Sequence, residues 1–465
     1  MSFGAQTFDR LNTPILKENV INEIHNGLPT SSALFSIFSQ NKTTVGGRYT
    51  REGVRTGRNL SPQFRPDMGP IPPPGRQDYA NLQEVTREAY AGIQVSFKAL
   101  AATKGDDEAL ADVLDGEIDG VIDDFANYVN VMGYLDGSGA IARVQGAPGA
   151  GGTTINVKQP GTAIIRALGG ANLRLAFYNG QTARQSLAVG DIRANTGVVT
   201  VAGITSATAF TINAPGTAAD VADEDYVVIV GQGVGSNTSD STVGAAMHGL
   251  MSLVDDGTFR TVLHNITRDA AAERWISTII GAANPDAAGI ELDEGAGVGD
   301  NSERYEYLMR VADEIARLSG NEMPDICLTN HAGKRLVVNL VDPDVQQKPL
   351  NLKAGYKTVG ISLGASPMTL IEDKDCFGGF TSNDSTGNVG RPTRTQFWFL
   401  NSDAFRLIET GPPEPVDIGG GAFYRDYAGR TPVANMDLRY EFNVVNEKPW
   451  RSGALFDVNV RTLPN

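Results

Sequence analysis

The stretch DDEALADVLDGEIDGVIDDFANYVNVM, residues 106–132, decides the fold. Its apolar residues Leu110, Val113, Leu114, Ile118, Val121, Ile122, Phe125, Tyr128, Val129 and Met132 recur at steps of three and four, which places them on one face of an α-helix. Asp106, Asp107 and Glu108 stabilise its N-terminal end, where the helix dipole is positive. At about 1.5 Å per residue the stretch predicts a rod of roughly 40 Å. The other positions carry Asp112, Asp115, Glu117, Asp119, Asp123 and Asp124, and no Lys or Arg stands between residues 106 and 124. The rod is amphipathic and anionic, with an apolar side for a core and a charged side left over. DGSG at 136–139 then turns the chain sharply.

Upstream lies the opposite charge. Residues 42–76 hold Pro62, Pro66, Pro70, Pro72, Pro73 and Pro74, and seven basic residues: Lys42, Arg48, Arg51, Arg55, Arg58, Arg65 and Arg76. Only Glu52 and Asp67 oppose them, so this stretch is +5 inside a chain of net charge −15. Its apolar residues Val54, Leu60, Phe64, Met68 and Ile71 follow neither a helical nor a strand period. It reads as a long, stiffened, cationic excursion for which a compact monomer has little use. Before it, residues 11–41 predict two short helices. One is capped by Thr13-Pro14, carries Ile15, Leu16, Val20, Ile21 and Ile24 and ends at Gly27; the other runs from Thr30 through Leu34, Phe35 and Phe38. After it, Tyr90, Ile93, Val95 and Phe97 alternate as a strand.

Downstream of the rod, residues 146–240 shift to Thr, Val, Ala and Gly, with short apolar runs divided by turn residues, and read as a β-rich module. ERWISTIIG at 273–281 reads as helical, and 282–302 as an acidic, Gly-rich loop. A second amphipathic helix follows through Tyr305, Leu308, Val311, Ala312, Ile315 and Leu318 and closes at Gly320. DICLTNHAGKRLVVNLV at 325–341 reads as strand, turn, helix. The clearest strand is last: Ala434, Met436, Leu438, Tyr440, Phe442 and Val444 alternate with Asn435, Asp437, Arg439, Glu441 and Asn443. One face is expected on a core and the other in solvent.

A length of 465 residues suggests about three compact units. With 41% apolar and 20% charged residues the chain is not a disordered polymer, and its 53 glycines indicate strands joined by many turns. So acidic a chain does not coat nucleic acid through its overall field. Two cysteines, Cys327 and Cys376, allow at most one bridge and no zinc site built from thiols alone. MSFGAQTFDRLNTP has no signal-peptide pattern, and no run of about 18 apolar residues is present to span a membrane. His25, His248, His264 and His331 show no metal-binding spacing and read as structural or solvated. Neither a GxSxG elbow nor a phosphate loop occurs. GQGVG at 231–235 and GAGVG at 295–299 lack the βαβ context of a dinucleotide site, and Asp293, Glu294 and Asp300 read as a solvated turn. No enzyme, cofactor or metal is expected.

The cationic excursion and the anionic rod are the informative pair. The reading that uses both is intermolecular: the loop of one subunit lies over the acidic helix of its neighbour, with Phe64 or Ile71 as apolar anchors. The contact residues are then Arg48, Arg51, Arg55, Arg58, Phe64, Arg65, Ile71 and Arg76 on one side, and Asp112, Asp115, Glu117, Asp119, Asp123 and Asp124 on the other. Exposed ion pairs contribute about 0–1 kcal/mol each and are screened over about 8 Å at physiological salt. One such contact is weak, and many in a closed lattice sum to a stable whole. The prolines lower the ordering entropy of docking.

The order of elements resembles the major capsid proteins of tailed bacteriophages, the Hong Kong 97-type capsid fold that encapsulins share. The resemblance rests on the extended loop, the rod running into YLDGSGAI at 134–141, and ERYEYLMRVADEIARLSGNEMPDICLTNHAGKRLVVNLV at 303–341. It continues through ISLGASPMTLIEDKDCFGG at 361–379 and FYRDYAGRTPVANMDLRYEFNVVNEKPWRSGALFDV at 423–458. It implies an α+β fold with an N-terminal arm at 1–44, an extended loop at 45–90 and a peripheral domain with its spine helix at 91–145. An insertion domain at 146–240, the peripheral domain continued at 241–329, an axial domain at 330–432 and closing strands at 433–465 complete it. It also implies hexamers and pentamers tiling an icosahedral shell around double-stranded DNA, in a virion assembled in the host bacterial cytoplasm. Portal and decoration proteins are the expected partners, and an encapsulin-like compartment holding enzyme cargo is the alternative. Members that cross-link covalently join a loop Lys to an Asn that matches Asn435, but no Lys occurs between Lys42 and Lys98, so a non-covalent shell is expected. The chain starts directly at the arm, so a separate scaffolding protein is expected.

Overall fold

The computed structural model describes residues 33–96, 107–148, 152–182, 188–230, 245–280, 301–340, 349–377, 394–416, 424–425 and 433–459, with short breaks inside these ranges. The expected helix at 11–27, the glycine-rich runs at 231–235 and 295–299, Asp293, Glu294, Asp300, and also Arg48, Arg58 and Phe97 lie outside the described residues.

The described chain begins with α1 (Ala33–Phe38), the second of the two helices expected there, and strand β1 (Lys42–Thr44). Strands β2 (Thr50–Arg55) and β3 (Tyr79–Glu84) follow, then β4 (Arg87–Ser96), the strand expected around Tyr90–Val95. Helix α2 (Asp107–Tyr134) is the rod. Ile118, Ile122, Phe125, Ala126, Val129 and Met132 are buried, and Glu117, Asp119, Asp123 and Asp124 are exposed, as the periodicity requires. Each large apolar side chain on that buried face contributes up to about 1.5–3 kcal/mol. The rod stops where Gly137 and Gly139 take φ of 83° and 85° and Asp136 Oδ1 accepts the N–H and O–H of Ser138.

Strands β5 (Ala140–Arg143), β6 (Thr154–Asn156), β7 (Arg174–Tyr178), β8 (Val198–Ile204), β9 (Ala209–Ile212) and β10 (Tyr226–Ile229) form one antiparallel sheet in the order β5-β10-β7-β8-β9-β6. A short helix, α3 (Ala163–Ala167), lies between β6 and β7. The chain returns through α4 (Leu250–Leu253), a small hairpin of β11 (Val262–Leu263) and β12 (Ile266–Thr267), and β13 (Thr278–Ile280). Gly249 lets this return segment seat against the end of the rod. A Cβ there would come within 2.3 Å of the Leu135 carbonyl oxygen and 2.6 Å of those of Gly133 and Met132. Helix α5 (Asn301–Ser319) ends at Gly320 with φ of 78°, and β14 (Ile326–Thr329) and α6 (His331–Leu340) are the expected strand, turn and helix.

ERWISTIIG departs from expectation. It is not helical: Glu273 and Trp275 have φ of 51° and 56°, and Thr278–Ile280 is strand β13. The run is too short to hold a helix alone, and a parallel strand at 453–459 supplies its hydrogen bonds.

The remaining strands are β15 (Pro349–Asn351), β16 (Lys357–Leu363), β17 (Ser366–Glu372), β18 (Arg394–Leu400), β19 (Phe405–Glu409), β20 (Glu414–Pro415), β21 (Tyr424–Arg425), β22 (Val433–Asn446) and β23 (Gly453–Asn459). A seven-stranded sheet runs β13-β23-β18-β14-β17-β16-β15. The body sheet runs β1-β19-β22-β20, with β4 and β21 also paired to β22. Helices and mainly antiparallel sheets are segregated along the chain, which is the expected α+β class. No helix among the described residues is long and apolar enough to cross a membrane.

Strand β22 is the keel. Met436, Leu438, Tyr440 and Phe442 point into the core, and α1 is stapled to them: the Phe35 ring meets Phe442 at 5.8 Å and Tyr440 at 6.4 Å, edge on. The polar face is not uniformly solvated as expected, because Asn443 is fully buried. Its amide is consumed at the root of the arm, where another part of the chain covers that end of the strand.

Candidate assembly site: the arm and its mount

Strands β2 and β3 pair from Thr50↔Glu84 to Arg55↔Tyr79, and this ribbon joins no other sheet among the described residues. A two-stranded ribbon is marginal on its own in water. At its far end, Thr56 donates to the Asp78 carbonyl, and Asn59 bridges the loop by donating to the Gly75 carbonyl at 3.2 Å and accepting from the Ser61 N–H at 2.9 Å. Beyond that closure the chain presents Phe64 at 107% and Ile71 at 92% exposure, so neither touches the rest of its own chain to any useful extent. Arg51 lies over the Tyr49 ring at 4.6 Å, and Arg65 reaches only Gln63 among the described residues. Arg55 and Arg76 meet no acid among the described residues. The arm is a naked apolar tip on a cationic ribbon.

The acids are equally unpaired. Glu117, Asp119, Asp123 and Asp124 stand on the exposed side of α2 and form no ion pair among the described residues. Asp112 and Asp115 lie in the first half of the helix, and their side chains fall outside the described residues. One chain, as far as it is described, does not bring its own arm onto its own rod. Between β4 and α2 lies a groove of about 900 Å³, lined by Ala89, Ala91, Val121, Phe125, Tyr128 and Met132, with Glu88 and Asp124 among its polar residues.

The arm is mounted on two ionic feet. On the β2 side, Glu52 pairs with Arg406 of β19, which also reaches Glu447 at 2.6 Å. On the β3 side the strand ends at Glu84, a carboxylate only 7% exposed and surrounded by four N–H donors. Its Oε2 receives His264 Nδ1 at 2.8 Å and His248 Nε2 at 3.2 Å; its Oε1 receives the Val85 N–H at 3.2 Å and Asn443 Nδ2 at 3.3 Å. His264 is held there by the β11–β12 hairpin, where His264 and Asn265, at φ of 52° and 65°, form a two-residue turn closed by the pair Leu263↔Ile266. The same turn accepts the Gln83 N–H on the His264 carbonyl at 3.0 Å. Asn443 donates to the Val85 carbonyl at 2.8 Å and accepts from the His248 N–H at 3.0 Å.

A buried Glu–His–His group with ligand atoms within 4.8 Å of one another has the composition of a metal centre. Its hydrogen bonding assigns it another role. A neutral imidazole that binds a cation keeps its proton on the opposite nitrogen. Here the opposite nitrogens face donors: the Asn446 backbone N–H lies 3.1 Å from His264 Nε2, and the Arg260 guanidinium 2.9 Å from His248 Nδ1, with the Ser252 hydroxyl farther off at 3.4 Å. The network places the protons on His264 Nδ1 and His248 Nε2, aimed at Glu84. A cation would have to displace both and leave two donor–donor clashes behind. The group is a carboxylate clamp.

The ionisation follows. Burial opposes a charge on Glu84, but the hydrogen bonds from His248 and His264 outweigh it and hold the carboxyl well below its usual range. Burial pushes both imidazoles down, His264 to about 4, against the attraction of Glu84. The clamp at neutral pH is an anion between two neutral rings. Nearby, Arg268 is buried, donates to Asp255 at 3.2 Å and to the Ser252 carbonyl at 2.8 Å, and is lowered by burial to about 10.

Of the four histidines, His248 and His264 are structural, as their sequence context suggests, yet no spacing in the sequence announces their convergence on Glu84 from three distant segments. His331 is exposed and stands 3.2 Å from Glu372, and His25 lies outside the described residues. A second polar joint ties the rod to the turn after β17: Asn130 Nδ2 donates to Asp373 at 3.1 Å and Asp375 at 2.7 Å, and the Tyr134 hydroxyl donates to Asp373 at 2.9 Å.

No protein-family profile matches the chain, and no curated protein matches it. Among solved structures, it is similar to the capsid asymmetric unit of cyanophage A-1(L), at 9% identity over 93% of each chain with a TM-score of 0.47. It is also similar to the capsid of the native GTA particle, at 10% identity over 92% of this chain and 90% of that chain, TM-score 0.40. A third is the holo-SrpI encapsulin complex of Synechococcus elongatus, at 8% identity over 94% and 92%, TM-score 0.40.

Proposed function

We propose that this chain is a shell-forming structural protein, a major capsid protein of the tailed-bacteriophage, Hong Kong 97-like type, without enzymatic activity. The observation that carries the proposal is the arm: a ribbon with no sheet partner among the described residues, tipped by bare Phe64 and Ile71, flanked by unpaired Arg55 and Arg76. Such an apolar tip, met by nothing among the described residues, is the kind of surface that another molecule covers. The unpaired acids of α2 offer the complementary charge, so a second copy of the same chain is the natural receiver. The groove beside Asp124 supplies an apolar floor for Phe64 or Ile71 within reach of carboxylates for the arginines.

The contact joins arm to rod, two different surfaces, so it is head-to-tail, the kind of contact that forms rings when the rotation between copies closes. On this reading the rings are hexamers and pentamers, and they tile an icosahedral shell around double-stranded DNA without sequence-specific contacts. Residues 45–90 act as the extended loop, 91–145 with 241–329 and 433–465 as the peripheral domain, 330–432 as the axial domain and 146–240 as the insertion. Scaffolding, portal and decoration proteins are the further partners, in a virion assembled in the host cytoplasm.

Electron microscopy and nuclease treatment of particles from expressing cells test it. Closed shells holding nuclease-resistant DNA are expected when the packaging partners are present. Shells holding protein cargo and no DNA would favour the encapsulin-like alternative. A chain that forms neither rings nor shells would overturn the proposal.

A further inference from the structure

The clamp at Glu84 sits where the arm leaves the body, and its chemistry makes that exit conditional. The hairpin turn holds the root of β3 twice: through the ring of His264 on Glu84, and through its own carbonyl on the Gln83 N–H. Ring and carbonyl belong to one residue in a two-residue turn, so the hairpin grips the root of β3 by side chain and backbone together.

Both rings are boxed in by donors. Groups facing His248 are Glu84 of β3, Arg87 of β4 and Arg260. Groups facing His264 are Glu84, His248 and Arg268, while Asp136 and Asp255 act on the arginines behind them. A proton added to His264 goes to Nε2 and meets the Asn446 N–H; one added to His248 goes to Nδ1 and meets the Arg260 guanidinium. On His264 the bond becomes a repulsion that ring movement relieves; on His248 the added proton opposes the guanidinium at 2.9 Å, with the Ser252 hydroxyl 3.4 Å away.

We propose that Glu84, His248 and His264 are positioning residues for the arm, and that proton uptake by either imidazole unlocks the root of β3 and frees the arm's direction. The clamp is a property of the single chain; its use in assembly rests on the reading above. The sign is fixed by linkage: a folded state that holds the rings neutral binds fewer protons than the opened one, so opening grows as pH falls from the ordinary histidine range. His264, held at about 4, sets the lower end of that window.

Hydrogen exchange of the full chain, kept as single subunits and corrected for intrinsic rates, reads the joint directly. The Gln83 and Val85 amides, compared with those of Phe397 and Phe399 in β18, are expected to lose protection by roughly tenfold per pH unit between about 6 and 4. His264→Gln keeps an amide donor for Glu84 and an acceptor for Asn446 but does not titrate, so it is expected to weaken that pH dependence. A constant ratio of root to core protection from pH 7 to 4, or the same acid profile as the parent in a chain carrying both His264→Gln and His248→Gln, overturns the proposal. Ring nitrogen shifts of the parent protein at pH 7 test it without any variant: Nδ1–H on His264 and Nε2–H on His248 support it, and charged rings or the reverse tautomers overturn it. Sedimentation of the same samples reports assembly separately, so failure of the shell reading leaves the exchange result intact.

Discussion

Glu84→Gln at neutral pH is the sharpest perturbation of the mount, because an amide is nearly isosteric with the carboxylate and only the proton pattern changes. Four donors converge on Glu84, two on each oxygen. With the Gln oxygen turned to His264 and His248, its NH2 faces the Val85 N–H and Asn443 Nδ2. With the amide turned round, NH2 faces two imidazole N–H groups whose far nitrogens already accept from Asn446 and Arg260. Either orientation leaves at least two buried donors without acceptors, at about 1–3 kcal/mol each. We take about 3 kcal/mol for the two donors together, toward the lower end of that range. Since about 1.4 kcal/mol is a tenfold change in population, amide exchange at Gln83 and Val85 is expected to speed up by roughly a hundredfold at pH 7. The seven-stranded sheet should keep its protection. Exchange at Gln83 within threefold of the parent would refute the saturated-carboxylate reasoning.

Three other outcomes follow from the same geometry. Phe64→Ser with Ile71→Ser should leave subunit stability within about 0.5 kcal/mol, because both side chains already stand in solvent, yet abolish rings in sedimentation. Phe35→Ala removes the ring that staples α1 to Tyr440 and Phe442 and should cost about 3–5 kcal/mol, read as a lowered denaturant midpoint. Denaturing electrophoresis of purified shells should give a single subunit band, since the loop's cations are guanidiniums and Asn435 is hydrogen-bonded to Gln94. A ladder of cross-linked species would contradict that.

The elements legible in the sequence were those whose own side chains decide their state. The rod, α5 and β22 each carry enough apolar residues at one period to name both the element and its buried face. ERWISTIIG was illegible because a short apolar run fits helix and strand alike, and β23 settles the matter from far along the chain. Asn443 read as solvent-facing because alternation knows the strand's two faces and not what lands on them. The arm was legible as a cationic, aperiodic excursion, and the bare tip at Phe64 and Ile71 is where that reading led. The clamp was not, since Glu84, His248 and His264 come from three segments and each is unremarkable alone. Its one local trace is LHNI at 263–266, a polar pair between apolar residues that forms the tight turn delivering His264.

Charge exchange between arm and rod tests the central claim most directly. One set of changes is Arg55→Glu with Arg76→Glu; the other is Asp123→Arg with Asp124→Arg; a third chain carries both. All four positions are exposed and unpaired among the described residues, so each chain should fold. Sedimentation at low and physiological salt should find rings for the parent and the combined chain, and single subunits for either set alone, the coupling a double-mutant cycle isolates. If each set alone assembles as the parent does, or if the combined chain is no better than either, the arm does not grip the rod of a neighbour and the account fails.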